Sequence, residues 1–250
     1  MRTGLGAGLN TLDSGLSPGG DEAPLFPLTA AGFATLAGNV AVTPSYILPC
    51  QEASGNLVCA ITGEEWAPTG SPQYAQSVSG LAESRSAIGS AASAHFECTD
   101  NSIMDATGSV AHFFVFVNDG TSTGELFTKR GADGMFVRSL STGGVWNYLD
   151  SSGTADYRAN NNNSHTSGDA EAVCVVVNLT ADTVTSFSSQ GTETASIAGY
   201  GSFTTTAFHR LLDGGGAGMD IAYYAGLEGT AAEAFTQTEF DAIWDAFTGA

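Results

Sequence analysis

Six residues between positions 146 and 163 have side chains of the types that bind sugars. They are Trp146, Tyr148, Tyr157, Arg158, Asn161 and Asn163. Aromatic rings stack on the apolar faces of sugar rings, and amide and guanidinium groups hydrogen-bond to hydroxyls, so this composition is suited to glycan recognition. The alternative is that Trp146 and Tyr148 are core residues and that the asparagine run at 160–163 is only a loop.

The sequence has no recognisable catalytic set. Glycoside hydrolases built on β-sandwiches carry a Glu-x-Asp-x-x-Glu strand, whose alternating carboxylates divide the nucleophile and acid roles, and this pattern is absent. The nearest segment, residues 219–224, contains Asp220 alone. The histidines have neither metal-ligand nor triad spacing and are interpreted as structural; they are His95, His112, His165 and His209. We therefore expect a protein that is not an enzyme.

The cysteines do not suggest a metal site. Cys50, Cys59, Cys98 and Cys174 form no CxxC pair. Cys174 lies in the apolar run AVCVVV and is interpreted as a small buried hydrophobe, whereas Cys50 and Cys59 flank a turn and could form a disulfide in an oxidising compartment.

The charge of the chain excludes two classes of partner. Twenty-six acidic and seven basic residues give a net charge of -19, so we expect no binding to nucleic acid or to an anionic membrane. The simplest interpretation of the charge is solubility. The first residues lack the apolar run of a signal peptide, and no stretch reaches the ~20 apolar residues of a membrane span, so we expect no membrane insertion.

The candidate residues follow a stretch that predicts four successive strands joined by glycine turns. The predicted strands are Val110 to Val117, Leu126 to Lys129, Met135 to Leu140 and Val145 to Leu149. Both faces of the first strand are apolar, as in a strand inside a packed sandwich. With 32 glycines and turn clusters every ten or so residues, the chain is predicted to be an all-β, two-sheet antiparallel sandwich.

A short C-terminal helix is predicted to pack on this sandwich. Thr236 and Glu239 have the spacing of a capping box, and an apolar stripe follows, formed by Phe240, Ile243, Trp244 and Phe247. We expect Trp244 to be a core residue.

Residues 1–40 are rich in Gly, Ala, Leu and Pro and predict an irregular N-terminal arm or linker, followed by the sandwich at 41–250. The leucines of the arm need an apolar partner. That partner is either another subunit, including a second copy in a homo-oligomer, or the sandwich of the same chain.

Four segments carry a resemblance to a known family. Residues 47–76, with the turn Glu52 to Asn56, residues 113–130, and residues 170–191, with a turn at Asp182, resemble strands of concanavalin A-like and laminin G-like jelly-roll domains. Residues 208–247 resemble the closing strands and short helix of these domains. The resemblance implies a jelly-roll sandwich, and it implies that a rim calcium ion is compatible with the loop aspartates, namely Asp100, Asp105, Asp119, Asp133, Asp150, Asp156 and Asp169.

Three functions are compatible with these observations. The first is a virion component, such as a phage capsid decoration, fibre or tail protein, displayed on the virion surface and anchored to other virion or scaffold subunits by the arm, whose opening resembles those of phage virion proteins. The second is a free, extracellular lectin-like module that binds a surface glycan. The third and weakest is a divergent glycan-cleaving enzyme.

Overall fold

The computed structural model of the chain describes residues 26–83, 85–89, 94–98, 108–121, 123–129, 134–139, 145–151, 154–161, 168–198, 208–213 and 218–250. At 86, 134, 136, 145–151 and 154–161 it describes the backbone alone.

The described residues form strands and three short helices. The strands are β1 (Tyr46–Leu48), β2 (Leu57–Val58), β3 (Glu65–Thr69), β4 (Gln73–Val78), β5 (Arg85–Gly89), β6 (His95–Cys98), β7 (Val110–Asn118), β8 (Gly124–Lys129), β9 (Gly134–Ser139), β10 (Val145–Ser151), β11 (Thr154–Asn161), β12 (Ala170–Asn178), β13 (Thr183–Ser188), β14 (Gly191–Ser196), β15 (His209–Asp213) and β16 (Met219–Glu228). The helices are α1 (Ala30–Leu36), α2 (Thr230–Glu233) and α3 (Gln237–Thr248).

These strands pair into two antiparallel sheets. The first sheet has the order β14-β13-β12-β7-β16-β5-β4, with β1 also paired to β16, and the second has the order β11-β10-β9-β8-β15-β6-β3-β2. The predicted all-β jelly-roll sandwich is therefore confirmed. The four strands predicted between residues 110 and 149 are β7 to β10, with bounds that differ by up to two residues.

The two sheets enclose one apolar core. Phe114 and Phe116 of β7 and Val175 of β12 contribute to it from the first sheet, and Phe127 of β8 and Leu211 of β15 from the second. All five side chains are at most 1% exposed. Burial of each contributes on the order of 1.5–3 kcal/mol, so this layer is a main source of stability.

A second apolar layer covers the opposite face of the first sheet. Phe113 and Val115, which alternate with Phe114 and Phe116 along β7, pack in this layer with Phe240, Ile243 and Phe247 of α3. The apolar character of both β7 faces thus has two causes: one face meets the second sheet and the other meets the helices.

Helix α3 has the predicted start but a narrower buried stripe. The capping box of Thr236 and Glu239 is present, and Gly249 ends the helix in a left-handed conformation with φ 74°. Trp244 is only partly buried, so its prediction as a core residue is wrong. At 100° per residue, Trp244 lies at one side of the stripe centred on Phe240, Ile243 and Phe247, and the apolar layer ends there.

Residues 26–42 pack on the helical side of the sandwich. Residues 30–36 form helix α1, which the sequence analysis did not predict, and Thr29 caps it by accepting a hydrogen bond from Gly32 N at 3.1 Å. Phe26 and Phe33 are buried with α3 in the second layer, and the Phe26 and Phe247 rings stack at 4.0 Å. The part of the predicted arm from Phe26 onward thus lies against its own domain, and residues 1–25 lie outside the described residues.

Arg85 joins this layer to a bulge in β16. The β7–β16 register shifts between Ile221 and Tyr223, and Arg85 Nε donates to the carbonyl of Ala222, the residue that the shift leaves out of the pairing, at 2.9 Å. A second guanidinium nitrogen donates to Pro49 O at 2.6 Å, and the guanidinium carbon lies 4.0 Å from the Phe26 ring centre. The buried guanidinium therefore satisfies two carbonyls and supports an aromatic ring at once.

The cysteines are free thiols, and all four are buried. The structure therefore contains no Cys50–Cys59 disulfide; Cys50 Sγ lies 3.5 Å from Leu48 O, and Cys98 Sγ lies 3.0 Å from Glu64 Oε1. Among the described helices, none has the length and apolarity that crossing a bilayer requires.

Substituting Arg85→Lys is expected to lower the free energy of unfolding by about 2 kcal/mol. An ammonium group cannot keep the planar two-carbonyl geometry and the stack on Phe26, so a buried acceptor loses its partner. Urea denaturation measures the loss. Arg210→Lys, at a guanidinium that is 35% exposed, is the control and should change the unfolding free energy by less than about 1 kcal/mol. Equal losses in the two variants would contradict this role of Arg85.

Candidate functional site

The β10–β11 hairpin, at one edge of the second sheet, holds most of the predicted sugar-binding residues. Tyr148 pairs with Arg158, Trp146 with Asn160, and Leu149 with Tyr157. Because paired residues of an antiparallel ladder share a face, Trp146, Tyr148 and Arg158 lie on one face of the hairpin, and Tyr157 and Asn161 lie on the other. Asn163 lies outside the described residues.

The neighbouring strand β9 identifies the two faces. Val145, Asn147 and Leu149 pair with Ser139, Val137 and Met135, which are all at most 2% exposed. Trp146 pairs instead with Arg138, whose side chain is 31% exposed. Trp146, Tyr148 and Arg158 therefore lie on the face of the second sheet that is turned away from the first sheet, which we call the outer face.

The outer face continues across the second sheet in two rows of paired positions. The row through Tyr148 contains Arg158, Tyr148, Phe136, Thr128, Arg210 and Glu97. The row through Trp146 contains Asn160, Trp146, Arg138, Glu125 and Asp213. The sheet thus places arginines, carboxylates and three aromatic residues on one face, although they come from six strands.

Two networks of paired charges occupy the described part of these rows. Arg138 Nη2 lies 2.6 Å from Glu125 Oε1, and Thr128 Oγ1 donates to Glu125 Oε2 at 2.6 Å. Arg210 contacts Glu97 at 3.3 Å and Asp213 at 3.2 Å. Such pairing fixes the side chains. Glu125 and Thr128 are buried, whereas Arg138, Arg210, Glu97 and Asp213 keep part of their surface exposed.

His95 completes the second network. Its Nε2 lies 3.3 Å from Glu97 Oε2, and its Nδ1 lies 3.9 Å from Asp213 Oδ1. The imidazole thus bridges the two carboxylates that hold Arg210. It belongs to the outer face, in contrast with the buried histidines described below.

Sequence reasoning missed Arg138, Arg210 and their carboxylate partners. Two register irregularities hid the alternation: Leu126 and Phe127 both face the core, as do Leu211 and Leu212, the latter in a left-handed conformation with φ 63°. On each strand two consecutive residues face the core, so the alternation is displaced by one residue beyond them. With this shift included, Glu125 and Thr128 on β8, and Arg210 and Asp213 on β15, lie on the outer face.

The calcium ion with which the loop aspartates are compatible has no ligand cluster among the side chains that the structure describes. No group of three or more His, Cys, Asp or Glu residues there has an arrangement that could hold a metal ion. Asp119 Oδ1 accepts hydrogen bonds from Thr121 N and Oγ1 at 2.8 and 2.6 Å, and Asp169 accepts one from Ser79 Oγ at 3.2 Å. Asp150 and Asp156 are described by backbone only, and Asp100, Asp105 and Asp133 lie outside the described residues.

Asp220 has a carboxylate neighbour that the sequence analysis did not find. Burial, together with the charge of Asp119, raises the pKa of Asp220 to about 6. Each carboxylate lies against a glycine, because a Cβ at Gly218 would overlap the Asp119 carboxylate and one at Gly89 would overlap Oδ1 of Asp220. Asn118 pairs with Met219 at the end of the β7–β16 ladder. Asp119 and Asp220 are the next residues along the chain after these two, so the strand pairing brings them near each other.

His112 and His209 lie between the sheets. His112 Nδ1 is 2.9 Å from the Tyr224 hydroxyl, and the His112 ring is 4.3 Å from that of Phe127. His209 is fully buried, and neither of its ring nitrogens has a hydrogen-bond partner among the described residues. Burial, with a smaller effect of the Lys129 charge, lowers the pKa of each histidine to about 3. Both imidazoles are therefore neutral core groups.

Comparison with known proteins relates the chain to others by fold alone. No protein-family model and no curated protein sequence matches it. The botulinum neurotoxin serotype C1 binding domain matches in structure with a TM-score of 0.60 at 11% identity, over 83% of this chain and 53% of the toxin chain. The chain thus spans about half the length of the toxin binding domains that it matches.

Two sialidase structures share the same sandwich. The CBM40 of the Ruminococcus gnavus IT-sialidase, bound to α2,3-sialyllactose, has a TM-score of 0.51 at 10% identity over 64% of this chain and 96% of its own. The Trypanosoma rangeli sialidase has a TM-score of 0.51 at 7% identity over 82% of this chain and 33% of its own. The protein therefore shares the β-sandwich fold of these domains.

The buried histidines predict a loss of stability in acid. Each titrates near pH 6.5 when unfolded and near pH 3 when folded, so between these values the unfolded chain binds more protons. The unfolding free energy should be highest above pH 6.5 and decrease toward pH 3. Asp220 acts in the opposite direction between pH 3.8 and about 6, because the folded state binds its proton more tightly.

His209→Phe isolates the histidine effect, since Asp220 is present in both proteins. Relative to the variant, the wild type should lose about 1 kcal/mol per pH unit between pH 6 and 4, as measured by urea denaturation. His209→Leu serves as the smaller replacement in case the phenyl ring overpacks the core. Parallel pH profiles for the wild type and both variants would contradict the prediction.

Proposed function

We propose that the protein is a non-catalytic carbohydrate-binding module whose ligand lies on the outer face at the β10–β11 end of the second sheet. The observation that carries this proposal is the strand register, which brings Trp146, Tyr148 and Arg158 to the same face as Arg138. Aromatic residues beside guanidinium groups are what a sugar ring requires for stacking and for hydroxyl recognition.

The architecture supports this location. The central strands of the first sheet are covered on one face by the second sheet and on the other by α1, α2, α3 and Phe26. The outer face of the second sheet instead carries partly exposed polar groups, including Arg210, Glu97 and Asp213. A domain of the same fold, the CBM40 of the Ruminococcus gnavus IT-sialidase, is described as bound to sialyllactose, which gives this use of the fold a precedent.

Trp146→Ala and Tyr148→Ala are each expected to weaken glycan binding about tenfold or more on a glycan array, with unchanged thermal unfolding. The matched control is Trp244→Ala on α3, which removes an indole on the far side of the first sheet and should leave glycan affinity unchanged. A wild-type protein that binds no glycan, or outer-face variants that bind as well as the wild type, would rule out this site.

Attachment to a virion or another scaffold is a second proposal, motivated by the Leu- and Gly-rich N-terminus. Because Phe26 and Phe33 are buried in the domain, the segment available for attachment is residues 1–25. Deleting residues 1–25 should abolish co-sedimentation of the protein with the virion or scaffold particle. The melting temperature of the truncated protein should equal that of the full chain. A truncated protein that still co-sediments would eliminate the arm as the anchor.

A further inference from the structure

The charged groups of the outer face are paired with one another. Glu125 holds Arg138, and Glu97 and Asp213 hold Arg210 from two sides, with His95 between these two carboxylates. Glu97 and Asp213 keep 29% and 23% of their side-chain surface exposed. A ligand that reaches the Arg210 guanidinium therefore also meets two carboxylates.

This arrangement disfavours an anionic ligand. A ligand carboxylate would have to displace Glu97 or Asp213 from Arg210, and the displaced carboxylate would remain beside it as an uncompensated like charge. The net charge of -19 adds a long-range repulsion that is strongest at low ionic strength.

An uncharged sugar fits the same groups without competition. Each sugar hydroxyl both donates and accepts, so it can donate to the partly exposed carboxylates of Glu97 and Asp213 while accepting from the guanidinium of Arg210. No ion pair has to break. The positions of Trp146 and Tyr148 in the same two rows place aromatic residues next to this polar surface.

We propose, building on the carbohydrate-binding function above, that the ligand is an uncharged glycan and that Glu97 and Asp213 determine this specificity by occupying Arg210. Such a ligand lacks the sialic acid of the sialyllactose to which the Ruminococcus gnavus CBM40 is bound. The proposed site also includes Arg210 and Asp213 of β15 and Glu97 of β6 among the groups that the ligand meets, whereas Glu125 and Thr128 of the intervening β8 are buried.

The test is a glycan array of matched pairs, in which each neutral oligosaccharide is present with and without a terminal sialic acid or uronic acid. The wild type is expected to bind at least one neutral member about tenfold or more tightly than its acidic counterpart. The double variant Glu97→Gln/Asp213→Asn, which frees the Arg210 charge, is expected to gain about tenfold in affinity for acidic members. Asp241→Asn/Asp245→Asn on α3 removes the same number of charges from the far side and should change neither preference.

The outcomes separate this inference from the function on which it depends. A wild type that prefers acidic members would overturn the uncharged-ligand proposal while supporting the carbohydrate-binding module. An unchanged preference in the Glu97→Gln/Asp213→Asn variant, with neutral binding intact, would remove the role of these two carboxylates. A wild type that binds no member of the array would overturn the carbohydrate-binding function itself.

Discussion

The pairing of β7 with β16 is the interaction on which both apolar layers depend. These are long strands at the centre of the first sheet, and each sends alternate side chains into the between-sheet core and the helical layer. The bulge at Ala222 interrupts their register and leaves a carbonyl that Arg85 satisfies. Arg85 in turn supports Phe26, which stacks on Phe247 of α3. One irregularity in the central ladder thus determines where the N-terminal segment and the last helix meet.

This arrangement divides the two sheets by role. The central strands of the first sheet bury both faces, whereas its edge strands β4 and β14 carry exposed residues. The second sheet buries one face and carries ion pairs on the other. Polar groups that are partly exposed and fixed by neighbours can bind a ligand with little ordering cost, so the second sheet is where recognition is physically favoured.

The few basic residues are distributed in the same way. Of the seven in the sequence, Arg85 and Lys129 are buried in the two layers, and Arg138, Arg158 and Arg210 belong to the outer face by register. Arg2 and Arg130 lie outside the described residues. Although the chain has 26 acidic residues, three carboxylates form the ion pairs of Arg138 and Arg210, namely Glu125, Glu97 and Asp213.

The fold class, the strands β7 to β10 and the capping box of α3 could be predicted from the sequence, because they depend on periodicity and spacing along the chain. The net negative charge follows from composition alone. Residue types also identified Trp146, Tyr148 and Arg158 as candidate sugar-binding residues. They did not show that these three share one face of the hairpin while Tyr157 and Asn161 lie on the other. Arg138 meets Glu125 because β9 pairs with β8, and Arg210 meets Glu97 because β15 pairs with β6. Irregularities on β8 and β15 masked the alternation that places Glu125 and Asp213 on this face. Strand order, register and burial depend on contacts between residues far apart in sequence. The tertiary structure was therefore needed to show which polar residues form one surface, and that His112 and His209 are buried between the sheets as neutral imidazoles.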